Sequence, residues 1–185
     1  MSSPNPTTSN SGVEEGQPAY VGLGSNLPSR YGSPQQTVDA ALERLASWSG
    51  LPLQRSSLWR TAPIDCPPGS PPFINAVAAL WPAAHLTSHA LLQRLLELEL
   101  EFGRQRAGIP NAPRCLDLDL ICFGDRQVAD ADLVLPHPLA HQRGFVMLPL
   151  AEIAPQLRLP GHRLTVSELA GRLAQSGPLI EKIDP

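Results

Sequence analysis

The stretch RCLDLDLICFG, Arg114 to Gly124, alternates acidic and apolar residues with a period of two. That period specifies a strand with one face toward a core and the other open. Leu118 and Leu120 are expected on the core face, with Asp117 and Asp119 together on the other. Strand rise alone would set those carboxylates roughly 6.5–7 Å apart. Such a pair fits two uses. It can be the charged face of an edge strand, which discourages edge-to-edge pairing. It can also hold magnesium, a hard cation that often binds through one or two carboxylates plus substrate phosphates.

The neighbourhood bears on that choice. Arg104, Arg106 and Arg114 precede the carboxylates and Arg143 follows in HQRGF, a set of guanidinium groups able to neutralise a polyphosphate. Taken singly, each arginine also fits a solvated surface. Lys182 is the only lysine and no GxxxxGK[ST] occurs, which excludes a P-loop. GLGSNL starts like a dinucleotide fingerprint at Gly22 and Gly24, but Leu27 stands where the third glycine belongs. A turn that lets backbone approach its neighbours, tied by Asn26, suits these glycines better. His137 in LPHP fits either a neutral donor to phosphate or a turn histidine bonded to backbone. The pairs His85/His89 and His137/His141 have i,i+4 spacing without HExxH, and Pro138 interrupts the second, so zinc is a poor fit. RGFVML partly matches an RNA-recognition signature, which Val146 and Met147 break.

A formal net charge of −3 and a pI near 5.9 offer no general attraction to nucleic acid or anionic membrane, so neither is expected as a partner. Cys66, Cys115 and Cys122 are odd in number and lack CxxC spacing, which fits a reduced cytoplasmic protein better than a disulfide or zinc scaffold. No apolar run approaches the roughly 20 residues that span a bilayer. The amino terminus lacks a signal-peptide pattern, and the expected location is cytoplasmic. Residues 1–17 hold almost no core-forming side chains and are expected to be a disordered tail. Residues 18–185 are expected to form a single domain, working as a monomer.

Along that domain, AYVGLGSN (Ala19 to Asn26) reads as a buried strand entering a turn. A helix begins near Pro34, with Ser33 and Gln36 at capping-box spacing and Val38, Ala41, Leu42, Leu45 and Trp48 as its core stripe. Strands are expected over Leu53–Thr61 and Phe73–Trp81, separated by the proline-rich loop APIDCPPGSPP. A second helix runs from about Thr87 to a stop at Gly103, followed by a broken loop and the Asp-bearing strand. Thr165 and Glu168 mark a further capped helix. The order β-α-β-β-α-β is ferredoxin-like, an arrangement that hosts many functions.

Taken together, GLGSN, RTAPI, FINAVAAL, FGRQR, APRCLDLDLICFG and LPHPLAHQRGFVMLPLAEIAP closely resemble the 6-hydroxymethyl-7,8-dihydropterin pyrophosphokinase family, in family order from about Ala19 to Leu173. Order and resemblance imply an α+β fold: a ferredoxin-like βαββαβ core in three α/β/α layers with a largely antiparallel sheet. The resemblance implies transfer of pyrophosphate from ATP to the pterin hydroxymethyl group, giving AMP and the pterin diphosphate for folate synthesis. It places two Mg2+ ions on Asp117 and Asp119, with Arg104 and Arg114 engaging ATP and assisting transfer. His137 and Arg143 match phosphate contacts, and Glu99 and Leu120 fall on the ATP side. Phe73 and Phe145 match the aromatic pair that sandwiches the pterin. Asn75 would read the ring's polar edge, with Thr61, Ala62 and Ile64 at positions that hydrogen-bond it. The chain departs from the family pattern at Ala107, Pro110 and Asn111, in a loop expected to close over substrates, and at Leu96, where a glutamine is common.

Overall fold

A computed structural model describes residues 16–104, 112–176 and 180–183. The expected tail apart from Gly16 and Gln17, along with Arg106, Ala107, Pro110 and Asn111, lies outside the described residues. The elements run β1 (Ala19–Ser25), α1 (Pro34–Ala46), β2 (Gln54–Arg55), β3 (Leu58–Thr61), β4 (Phe73–Leu80), α2 (Ser88–Glu101) and β5 (Asp117–Phe123). A short hairpin, β6 (Val128–Ala129) and β7 (Val134–Leu135), then leads to a 3-10 turn at Ala140–Gln142. The chain ends in α3 (Gly144–Ile153), α4 (Val166–Ser176) and β8 (Ile180–Ile183).

Local signals set the helix starts. The Ser33 hydroxyl accepts from Gln36 N while the Gln36 side chain accepts from Ser33 N, closing the capping box. Thr87 and Thr165 cap α2 and α4 through their hydroxyls in the same manner. Helix α2 stops before Gly103, whose φ of 94° an L side chain rarely adopts.

The sheet order is β5-β1-β4-β3-β8, with β2 also on β4, and every strand pair among the described residues is antiparallel. This is the expected ferredoxin-like core with β8 added beyond β3. Val21, Leu23, Leu118 and Leu120 face α1 and α2 on one side. Val77, Ile121 and Cys122 face Val146, Met147 and Leu150 of α3 and Val166 and Ala170 of α4 on the other. Three layers result.

Several local details differ from the sequence expectation. The strand expected over Leu53–Thr61 breaks at Ser56, whose N–H donates to Val77 O and whose hydroxyl accepts from Val77 N at 3.0 Å. A side-chain oxygen there replaces a ladder carbonyl. A register shift between Tyr20 and Val21 turns both Ile121 and Cys122 toward α3 and α4, and returns Phe123 to the other side. Burial pushes the Cys122 thiol up to about 12, leaving it unreactive. Helix α3 has no counterpart in the sequence expectation because GFVMLPLAEI is apolar nearly all round and contains Pro149, which cannot donate a helical hydrogen bond. Its helical state also removes the RNA-recognition alternative, which needs RGFVML on a sheet displaying stacked aromatics.

Candidate active site

The site lies on the α3/α4 face of the sheet, where Gly22 and Gly24 of β1 present no side chains. Register sets Asn75, Gly24 and Asp117 in one row across β4, β1 and β5, and Val77, Gly22 and Asp119 in the next row but one. Directly opposed residues point to the same face, so the two glycines form a floor between Asn75 and the carboxylates. A Cβ on Gly24 would stand 2.9 Å from Asn75 Oδ1, too close for Asn75 to keep its place. Asn75 is buried and its Nδ2 donates to Thr61 Oγ1 at 2.8 Å, which leaves the amide oxygen turned over the floor.

Two cavities open here, one of about 540 Å3 over this floor and one of about 480 Å3 along β5 beside α2. Thr61, Ala62, Ile64, Phe73, Asn75 and Phe145, the residues matched to pterin contacts, all line the larger, together with Arg114 and Arg143. Glu99 and Leu120 line the smaller, beside Leu92, Leu96, Leu133 and Val134. Arg104, Asp117, Asp119 and His137 line both and form the wall between them. The residues that the family resemblance assigned to ATP, the pterin and magnesium thus converge, although they come from separate strands, helices and loops.

Glu99 sits beneath that wall, 1% exposed. Its carboxylate accepts from Leu118 N at 2.7 Å and from Arg104 Nη1, tying α2 to β5. Burial pushes its pKa up to about 7, against the lowering by the Leu118 amide and the Arg104 charge. Arg104 also reaches Asp117 at 2.7 Å, and Arg114 reaches the other Asp117 oxygen at 3.1 Å. Asp119 has a longer pair with Arg143, at 3.5 Å. Burial and then the Asp117 charge raise the Asp119 pKa. Two oxygen-only ligands on one face, one of them short of cationic compensation, fit a hard divalent ion such as magnesium. Among the described residues no group of three or more His, Cys, Asp and Glu side chains gathers as a metal cluster, so water and substrate oxygens would complete such a shell.

His137 Nδ1 accepts from Leu139 N at 3.2 Å, which leaves Nε2 to carry the proton of the neutral ring. Burial, the largest influence, lowers its pKa, so the neutral form prevails at pH 7. Asn26 does more than tie its own turn. Its Oδ1 accepts from Arg114 N at 2.8 Å and its Nδ2 donates to Pro71 O at 3.1 Å, joining the segments that carry Arg114 and Phe73. His141 meets His162 in a tilted ring contact with centroids 4.6 Å apart, and His89 pairs with Asp130, so neither i,i+4 pair forms a shared ligand set. Leu173 and Ile180, which the sequence did not single out, also line the larger cavity.

A model of the 7,8-dihydro-6-hydroxymethylpterin-pyrophosphokinase (HPPK) family matches residues 20–155. The chain belongs to this family. Its reaction is pyrophosphate transfer to hydroxymethyldihydropterin in folate synthesis, with ATP as co-substrate. A 2-amino-4-hydroxy-6-hydroxymethyldihydropteridine pyrophosphokinase of Methylorubrum extorquens is 38% identical over 167 residues, covering 90% of this chain and 98% of its own. The protein of the same name from Synechocystis is 40% identical over 151 residues, covering 82% of this chain and 73% of its own. Among solved structures, an HPPK-DHPS in complex with substrates superposes with a TM-score of 0.69 at 11% identity over 88% of this chain. The Plasmodium falciparum HPPK-DHPS with pterin and p-hydroxybenzoate gives 0.61 at 13% identity. This chain spans less than half of each of those solved chains, 44% and 45%, and the likeness shows the HPPK fold.

Proposed function

We propose that the paired cavities are the two-substrate site of a magnesium-dependent ATP:6-hydroxymethyl-7,8-dihydropterin pyrophosphokinase, with the pterin in the larger cavity and the nucleoside of ATP in the smaller. The observation that carries this is the shared wall: a triphosphate leaving the smaller cavity must pass Arg104, Asp117, Asp119 and His137 to meet an acceptor in the larger.

Phe73 and Phe145 bind the flat ring, and the Asn75 amide oxygen accepts from its polar edge. Arg104, Arg114 and Arg143 donate to phosphate oxygens as their pairs with Asp117 and Asp119 rearrange, and His137 Nε2–H adds a neutral donor. Glu99 holds Arg104 in place from below rather than meeting the nucleotide first. Magnesium on Asp117 and Asp119 would neutralise phosphate charge and make the β-phosphorus more electrophilic. The hydroxymethyl oxygen, losing its proton to water, bonds to that phosphorus as the bond to the α-phosphate oxygen breaks, releasing AMP.

We further propose that the enzyme works in the cytoplasm as a single-domain monomer. Cys66, Cys115 and Cys122 are all free thiols, as a reducing compartment would keep them. Among the described residues no helix is long and apolar enough to cross a membrane.

Incubation with ATP, magnesium and hydroxymethyl-dihydropterin should give AMP and the pterin diphosphate in equal amounts. ADP as the sole nucleotide product would refute the transfer class. Binding of both substrates without turnover would instead indicate a non-catalytic relative in which the altered loop at Ala107, Pro110 and Asn111 does not support closure.

A further inference from the structure

Helix α4 beyond its cap and strand β8 follow the residues 20–155 that match the family model, yet Leu173 and Ile180 both line the larger cavity. Ile180 pairs with Thr61 and Thr61 pairs with Phe73, so the three stand side by side across β8, β3 and β4. Opposed residues share a face, which places Ile180 at the end of the row that begins at the aromatic Phe73.

Ile180 also meets the start of α3. A Cβ built on Gly144 would come within 2.8 Å of Ile180 Cδ1 and 3.9 Å of Leu173 Cβ. A methyl there would push aside the terminal methyl of Ile180, so glycine leaves the isoleucine free to rest in its present rotamer against the helix. Gly144 sits between Arg143, paired with Asp119, and Phe145, whose ring faces the cavity. The strand does not depend on Ile180 alone for its attachment. Lys182 Nζ pairs with Glu152 at 2.9 Å, and Glu152 in turn accepts from Ser57 N at 2.7 Å.

We propose that Ile180, seated on Gly144 with Leu173 beside it, is a positioning residue for the acceptor substrate. It sets the first turn of α3, and through that turn the distance between the Phe145 ring and the opposing Phe73. It also closes the cavity beyond Thr61 with apolar surface, excluding water from that edge of the bound ring. The inference rests on the assignment of the larger cavity to the pterin.

The test is steady-state kinetics of the full chain, with AMP formation by the wild type as its first arm. No AMP from the wild type would overturn the pterin assignment itself. Given an active wild type, Ile180→Ala should raise the KM for hydroxymethyl-dihydropterin about fivefold, from the lost apolar contact, with the KM for ATP moved less than about twofold. Ile180→Val should stay within about twofold of the wild type, since it removes a single methylene. Gly144→Ala should raise the same KM in the wild-type background but add nothing on top of Ile180→Ala, because the displaced methyl is then gone. Glu181→Ala, an exposed change in the same strand, should be silent. Thermal unfolding of each variant checks that it is folded; should Ile180→Ala not fold, Gly144→Ala combined with Ile180→Val supplies the comparison. An unchanged pterin KM in Ile180→Ala, an equal rise for both substrates, additivity with Gly144→Ala, or the same effect from Glu181→Ala would each overturn the positioning role.

Discussion

Replacing Glu99 by glutamine should make the protein progressively more stable than the wild type as pH rises from about 4 to about 8. Glu99 is 1% exposed, and burial raises its pKa from 4.5 to about 7. A carboxyl group raised in the fold is preferred there as the neutral acid. The stability it contributes is therefore complete below the unfolded value of 4.5 and lost as pH climbs to about 7. Linkage sets the slope at about 1.4 kcal/mol per pH unit, so the loss across that window is about 3 kcal/mol. Glutamine keeps the shape and an oxygen for the Leu118 amide but does not ionise, so it escapes the loss. Urea unfolding of both proteins in metal-free buffer across the range gives the difference directly. Contributions from Asp119, His137 and His141, which titrate in both proteins, cancel to first order. The expected difference is level at low pH and grows by up to about 3 kcal/mol above neutrality. A difference that stays level, or one that reverses sign, would refute the reasoning, because it would mean that the Arg104 pair outweighs desolvation of the ionised group. Turnover should fall in the same variant even as stability rises, since Arg104 loses its charged anchor.

Asp119→Ala should cut AMP formation by about a thousandfold while fluorescence titration shows pterin binding nearly intact, because the carboxylate serves the phosphates and not the ring. Chelation of divalent ions should abolish turnover of the wild type, and added magnesium should restore it; activity that survives chelation would remove Asp117 and Asp119 from a metal role. Asn26→Ala leaves the Arg114 amide without its acceptor and frees the Pro71 carbonyl, so urea unfolding should show a loss of about 2 kcal/mol together with a higher KM for ATP.

The residues that announced this site did so through local chemistry. The alternation in DLDL required a two-faced strand, and β5 has its carboxylates on the cavity side and Leu118 and Leu120 in the core. Capping at Ser33 and Thr165 was readable because a cap is a contract between residues three positions apart. The roles of Gly22 and Gly24 were half legible. Their need for close approach showed in the sequence, but that Asn75 and the two aspartates flank them depends on register with β4 and β5.

What the sequence alone determined is therefore the set of elements with a period and a cap, and the residue types able to handle phosphate and an aromatic ring. Tertiary structure decided the rest. Helix α3 forms although Pro149 interrupts its hydrogen bonding, because its apolar surface is buried against the sheet and α4. Strand β8 carries two charged residues among its four, and takes its conformation from pairing with β3. The wall between the cavities, the burial that raises Glu99 and the seat of Ile180 on Gly144 all arise from residues far apart in the chain. Such contacts depend on packing and desolvation, which exist only once the layers have closed.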